Sequence, residues 1–88
     1  MKGEFIVLGS SGIFIRGVFV GSDEVVRNYD QRERINYVNL IIIGVDAYKV
    51  TSAEDYRDRL AFGDIVTFSL RVRAYNSQVY LNGELVDE

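Results

Sequence analysis

The chain has 88 residues, 48% hydrophobic and 26% charged, which predicts one folded domain over residues 1–88 with a single small core. It contains no Cys and no His, which excludes disulfides, thiolate chemistry, the usual zinc sites and His-based acid–base catalysis. The net charge of −3 argues against a nucleic-acid binder that depends on overall basic charge. Eight of the ten cationic residues are Arg, however, and they can still make one face locally positive.

The first part of the chain is β-forming and then strongly polar. Residues 4–20 predict one long bent strand or a pair of short ones, with Gly17 at a bulge or sharp coil. Residues 21–36 predict a long hairpin that stands away from the core. A solvated connection whose charges only maintain solubility, or a short helix over residues 23–28, would also fit this segment.

The middle of the chain changes from strand to helix patterning. Residues 37–45 predict a strand, and their apolar run Leu40–Ile43 predicts that its outer side is covered by another element or by a second subunit. Residues 48–50 continue as a short strand. Ser52 followed by Asp55 resembles a capping box, so residues 51–61 predict a short helix that covers one end of the barrel.

The last part of the chain, residues 62–86, shows the clearest pattern. Apolar side chains alternate with polar ones from Val66 to Arg73, which is typical of a strand with one buried and one exposed face. Residues 75–77 have turn chemistry and residues 79–85 resume the alternation, so the two runs predict an antiparallel hairpin. The order of elements then predicts an all-β fold, a five-stranded OB-fold-like Greek-key barrel with one short helix between strands 3 and 4.

The segment Leu60–Phe68 resembles the entry into the fourth strand of many OB-fold domains. With its length and its long polar first hairpin, the whole chain is similar to the small single-stranded-DNA-binding proteins of bacteriophages and mobile elements, including the gene five protein type. That resemblance implies a homodimer that binds single strands through basic and aromatic residues on the sheet and on a protruding hairpin wing. The chain differs from those proteins in its negative net charge and in having two Lys.

The resemblance assigns the role of the wing and of the sheet to nine residues of this sequence. The candidate nucleic-acid-binding residues are Arg27, Tyr29, Arg32 and Arg34 on the wing, and Arg16, Tyr37, Arg71, Arg73 and Tyr80 on the sheet. The alternation itself supports the last three, because a base could stack on Tyr80 if the hairpin register places it beside Arg71 or Arg73. The same ring could instead pack on the Arg stems as an ordinary cross-strand pair.

No motif indicates an enzyme or a cofactor. The carboxylates Glu54, Asp55 and Asp58 fit capping and solubility, and the run Gly9–Gly12 lacks the Lys and hydroxyl of a phosphate-binding loop. We therefore expect no catalytic activity, no cofactor, no metal, no small-molecule substrate and no membrane contact. The longest apolar run is too short to span a bilayer and residues 1–4 do not resemble a secretory signal, so a cytoplasmic location is expected.

Two functions remain open from the sequence. The first is non-sequence-specific binding of single-stranded nucleic acid, with DNA favoured over RNA, by a homodimer. The second is a small β-barrel module for protein interaction or assembly, in which the Arg side chains are solvated and nucleic acid is not bound. The fold by itself does not choose between them.

Overall fold

The computed structural model describes residues 5–7 and 12–86, and side chains are described for residues 12–28 and 30–86. These ranges contain six β-strands. The strands are β1 (Phe5–Val7), β2 (Ile13–Tyr29), β3 (Arg32–Ile43), β4 (Asp46–Ser52), β5 (Ile65–Tyr75) and β6 (Gln78–Leu85). Dense β-branched and aromatic residues with period-2 alternation account for their length.

The strands close into a barrel. Their order is β1-β2-β3-β4-β6-β5, and β2 also pairs with β5, which joins the two ends of a five-stranded sheet. The pairing of β4 with β6 is parallel and the other pairings are antiparallel. The predicted all-β class with an OB-fold-like five-stranded barrel is therefore confirmed, and β1 is an additional short strand beside the start of β2.

Strand β2 takes part in both halves of the barrel. Its residues 13–18 pair with β5 and its residues 18–29 pair with β3, with a register irregularity between Phe19 and Gly21. Gly17 lies where β2 closely approaches β3, because a Cβ atom there would lie 2.6 Å from the Ile42 carbonyl oxygen. At the predicted bulge or sharp coil, Gly17 is therefore needed because the backbones of β2 and β3 lie close together there. The register irregularity between Phe19 and Gly21 lies a few residues further along β2.

The predicted helix over residues 51–61 is wrong. The described residues contain no helix, and the chain between β4 and β5 forms a series of turns. Ser52 is buried as the last residue of β4, and its Oγ donates to the Glu54 carbonyl oxygen at 2.7 Å. The Ser52 hydroxyl is thus already hydrogen-bonded at the end of β4, so it does not cap a helix. A single turn forms where the Leu60 N–H donates to the Tyr56 carbonyl at 3.0 Å.

The barrel interior is filled by alternate residues of the strands and by one ring from the turn segment. The buried core consists of Ile15, Phe19, Ile41, Ile43, Val50, Tyr56, Val66, Phe68 and Leu70. Tyr56 lies edge-to-face against Phe68 with 5.6 Å between ring centroids, and its hydroxyl accepts a hydrogen bond from the Leu85 N–H. Leu60 packs against this cluster, so the turn segment covers the core as expected of a helix there.

Two tight hairpins extend the sheet. The β2–β3 turn has positive φ at Asp30 and Gln31, and the β5–β6 turn has positive φ at Asn76 and Ser77. Two-residue turns of this kind match the right-handed twist of the strands that they join. The predicted long hairpin over residues 21–36 is thus a regular two-stranded ribbon, and residues 23–28 are strand rather than helix.

Candidate nucleic-acid interface

The outer surface of β3, β4, β6 and β5 carries a row of side chains that the register aligns across all four strands. Val38 pairs with Thr51, Thr51 with Asn82, and Asn82 with Arg71. Because neighbouring residues in paired strands point to the same side of the sheet, these four side chains share the outer face.

A second row lies beside the first and carries the aromatic group. Leu40 pairs with Lys49, and Tyr80 pairs with Arg73. Val50 of β4 pairs with Leu81 of β6 in parallel, so the preceding residues of these strands, Lys49 and Tyr80, are also neighbours. Tyr80 is therefore flanked by Lys49 on β4 and by Arg73 on β5. The sequence left open whether the register places Tyr80 beside Arg71 or Arg73, and in the structure its partner on β5 is Arg73.

A groove of about 710 Å³ lies over these rows. Among the residues that the structure describes, its lining includes three cations, two phenols and three small polar side chains together with apolar ones, and no carboxylate. The polar lining residues are Arg27, Asn36, Lys49, Thr51, Arg73, Tyr75, Tyr80 and Asn82. The sheet order puts β3 and β4 at the floor, between Arg27 of β2 and the β5–β6 hairpin.

The Tyr80 ring is exposed and tethered. The side chain is 43% exposed, and its hydroxyl donates a hydrogen bond of 2.6 Å to the Gln78 Oε1 on the same face of β6. A ring held by its hydroxyl between two cations is suited to stack with a nucleic-acid base while the cations contact the neighbouring phosphates.

The β2–β3 ribbon, which we call the wing (residues 23–38), sorts its charges onto two faces. On the front face, Arg27 lies directly opposite Arg34, followed by Arg32 towards the tip. Asn36 and Val38 continue this face into the groove. The front face therefore extends the basic lining of the groove, with Asp23 as a carboxylate at its base.

The directly opposed Arg27 and Arg34 are unfavourable for the free protein. Like charges that face each other across antiparallel strands destabilise the pair. Among the described residues, neither side chain forms an ion pair with a carboxylate, and the same holds for Arg32, Lys49 and Arg73. An anion such as phosphate placed between the two guanidinium groups would remove the repulsion, so their arrangement favours an anionic ligand.

Other Arg residues are neutralised locally. Arg57 contacts Asp55 at 2.8 Å and Arg59 contacts Glu54 at 2.9 Å, while Arg71 lies 3.9 Å from Glu84 with both side chains well exposed. Hydrogen bonding from the Arg57 guanidinium and backbone N–H lowers the pKa of Asp55. Glu54 and Asp55 of the turn segment are thus engaged by Arg residues outside the groove.

The nine predicted residues are distributed unequally. Arg27, Arg32, Arg34, Arg71, Arg73 and Tyr80 lie on the surface formed by the groove, its adjoining sheet face and the front face of the wing. Arg16 lies elsewhere, at a separate cavity of about 210 Å³ lined also by Leu60 and Ile65. Tyr37 lies on the reverse face of the wing, with the Arg57 guanidinium 5.2 Å from its ring centroid. The backbone of Tyr29 pairs with Arg32, and its side chain lies outside the described residues.

Sequence reasoning missed several groove residues, of which Lys49 and Tyr75 carry the most chemistry. Lys49 alternates with the buried Val50, so its outward direction was readable from the local pattern. Its position next to Tyr80 was not readable, because it depends on the parallel pairing of β4 with β6, two strands far apart in sequence.

Comparison with protein-family models, with curated proteins and with solved structures finds no match to this chain. The described residues include no helix long and apolar enough to cross a membrane. They also hold no group of three or more acidic side chains placed to bind a metal ion.

Proposed function

We propose that this protein binds single-stranded nucleic acid, with DNA favoured and with little sequence preference, through the groove and the front face of the wing. The observation that carries the proposal is the combination of five cations without carboxylate partners in the described structure and the exposed Tyr80 ring between two of them. The proposal is for a cytoplasmic binding protein rather than an enzyme.

The chemistry of the groove suits a single strand better than a duplex. Guanidinium groups contact phosphates with two hydrogen bonds, and a stacked base contributes about 1–3 kcal/mol. Stacking on Tyr80 requires an accessible base face, which a duplex does not offer. Since every base has such a face, binding through Tyr80 tolerates different sequences, while Asn36 and Asn82 can hydrogen-bond to bases or sugars in several ways.

The size of the surface sets the length of the ligand. The path from Arg27 on β2 to Arg73 on β5 by way of β3, β4 and β6 crosses four strand spacings of the curved sheet, or about 19 Å along its surface at ~4.8 Å per spacing. A path of that length fits the lower end of the site sizes of OB-folds, about 4 nucleotides or slightly more. The Arg residues on the front face of the wing would lengthen the path.

Fluorescence anisotropy with labelled oligo-dT at low salt tests the proposal. The wild-type protein should bind, and Tyr80→Ala should weaken binding about 5- to 150-fold, which corresponds to the loss of one stacked base. Tyr80→Phe keeps the ring and should retain most of the affinity. Phe62→Ala is the matched control, because Phe62 is 79% exposed in the turn before β5, at the opposite end of that strand from Tyr75. Absence of binding at low salt, or equal effects of Tyr80→Ala and Phe62→Ala, would overturn the proposal.

A protein-interaction function is the second candidate, and a different surface favours it. The register aligns four apolar residues on the outer face of neighbouring strands, namely Ile65, Val18, Ile42 and Ala47. Ile65 is 66% exposed, and Ile42, on the outer side of the apolar run noted in the sequence, is half-buried. Contiguous exposed apolar residues of this kind are typical of interaction surfaces. A flat oligonucleotide titration at low salt would make this the better candidate.

A further inference from the structure

The reverse face of the wing is unlike its front face. Val26 and Ile35 form a directly opposed apolar pair at its centre, and they are 52% and 42% exposed. Towards the tip the next pair on this face is Asn28 with Glu33, and towards the base it is Glu24 with Tyr37. The reverse face is therefore an exposed apolar centre between two carboxylates, on a ribbon that projects from the barrel.

The Arg16 cavity has the opposite character. Among the described residues, its lining combines the Arg16 cation with apolar residues that include Leu60, Ile65 and Val86, and no described carboxylate lines it. Arg16 forms no ion pair with any carboxylate in the described part of the chain. The volume of about 210 Å³ is enough for one or two aliphatic side chains.

We propose that the reverse face of one wing docks onto the Arg16 cavity of a second copy of this chain. Val26 and Ile35 would enter the apolar part of the cavity, and Glu33 would pair with Arg16 at its rim. Charge complementarity favours this occupant, because Glu33 lies beside the apolar pair on one surface and Arg16 lies beside the apolar lining of the other. Arg57 lies at the base of the reverse face, against Tyr37, while Glu33 lies towards the tip. The contact goes beyond the proposed binding of nucleic acid and uses none of its residues.

The two surfaces are different, so the contact is head-to-tail rather than two-fold. A contact of that type does not close into a dimer unless its rotation happens to form a ring, and it adds copies in a row. The front faces and grooves remain free in such a row, and a nucleic-acid strand could pass from one copy to the next. One ribbon face buries much less than the ~800 Å² per partner of a standard stable interface, so the association is weak in free solution.

Sedimentation velocity of the protein alone, from micromolar to millimolar concentration, tests the contact without relying on nucleic acid. The weight-average molecular mass of the protein should rise steadily with its concentration and exceed the mass of a dimer. Glu33→Arg and Arg16→Glu should each weaken association about tenfold, since an ion pair becomes a like-charge contact. The double variant should recover most of the association, and Val26→Asp should abolish it.

Matched controls come from the exposed pair Arg71 and Glu84, which belongs to neither surface. Arg71→Glu and Glu84→Arg make the same changes of charge and should leave association unchanged. A protein that stays monomeric at millimolar concentration, a mass that stops at the dimer, or a double variant that does not recover association would each overturn the proposal. Circular dichroism of every variant shows whether the barrel is intact.

Discussion

The salt dependence of oligonucleotide binding gives the sharpest test of which cations hold phosphate. Lys or Arg side chains that neutralise phosphates release counterions, so the logarithm of the binding constant falls linearly with the logarithm of the salt concentration. Five cations of this protein lie in the groove or on the front face of the wing without a carboxylate partner among the described residues. They are Arg27, Arg32, Arg34, Lys49 and Arg73.

The expected slope follows from that number. At ~0.7 per phosphate contact on a single strand, five contacts give a slope of about −3.5, so raising salt from about 50 to 200 mM should weaken binding about 100-fold. Arg73→Ala removes one contact and should reduce the slope by about 0.7. Tyr80→Ala removes stacking without removing a charge, and it should lower affinity while leaving the slope unchanged.

Anisotropy titrations at four or more salt concentrations measure these slopes. Arg16→Ala is the control, because Arg16 is also an exposed Arg but lies at the separate cavity. It should leave both affinity and slope unchanged for an oligonucleotide long enough to bind one copy. If Arg16→Ala reduced the slope as much as Arg73→Ala does, the groove would not be the phosphate-binding surface and the assignment would be refuted.

Two further predictions concern stability. Arg34→Glu replaces one of the two opposed cations and creates an ion pair with Arg27. The free energy of unfolding should therefore rise by about 0.5–1 kcal/mol, while the affinity for oligonucleotides falls. A lower melting temperature of this variant would contradict the prediction. Gly83→Ala should cost about 1–3 kcal/mol, because the new Cβ would lie 2.4 Å from the Ser69 carbonyl oxygen across the β5–β6 hairpin. Urea unfolding measures both changes.

Local alternation was sufficient to predict the elements that need no distant partner. The hairpin of β5 and β6 and the long wing both follow from period-2 patterning and turn residues. The helix over residues 51–61 failed because tertiary contacts overrode a local signal. Ser52 is buried at the end of β4, where Asn39 Nδ2 donates to its Oγ at 2.9 Å.

The distribution of the candidate residues has a related explanation. The resemblance groups Arg16 with the sheet residues, and the structure places it on β2 at the separate cavity. That strand coils at Gly17, so its first part pairs with β5 and faces away from the groove. Lys49 was overlooked because the pairing that brings it to Tyr80 joins two strands, β4 and β6, that are separated in sequence by the turn segment and strand β5. Such non-local registers leave no trace in a local pattern.

An acidic chain can form a basic groove because successive side chains of a strand point to opposite faces, so that neighbouring acidic and basic residues are separated. On the wing, Arg27, Arg32 and Arg34 share the front face while Glu24 and Glu33 share the reverse face, although the two kinds are interleaved in sequence. If the β2–β3 register shifted by one residue, each residue of β2 would pair with a residue of β3 that now lies on the other face. The Arg and Glu side chains would then be mixed on both faces of the wing. The two-residue turn with positive φ at Asp30 and Gln31 fixes that register. The turn therefore decides whether the cations of this acidic chain form one surface, and the proposed recognition of nucleic acid depends on that surface.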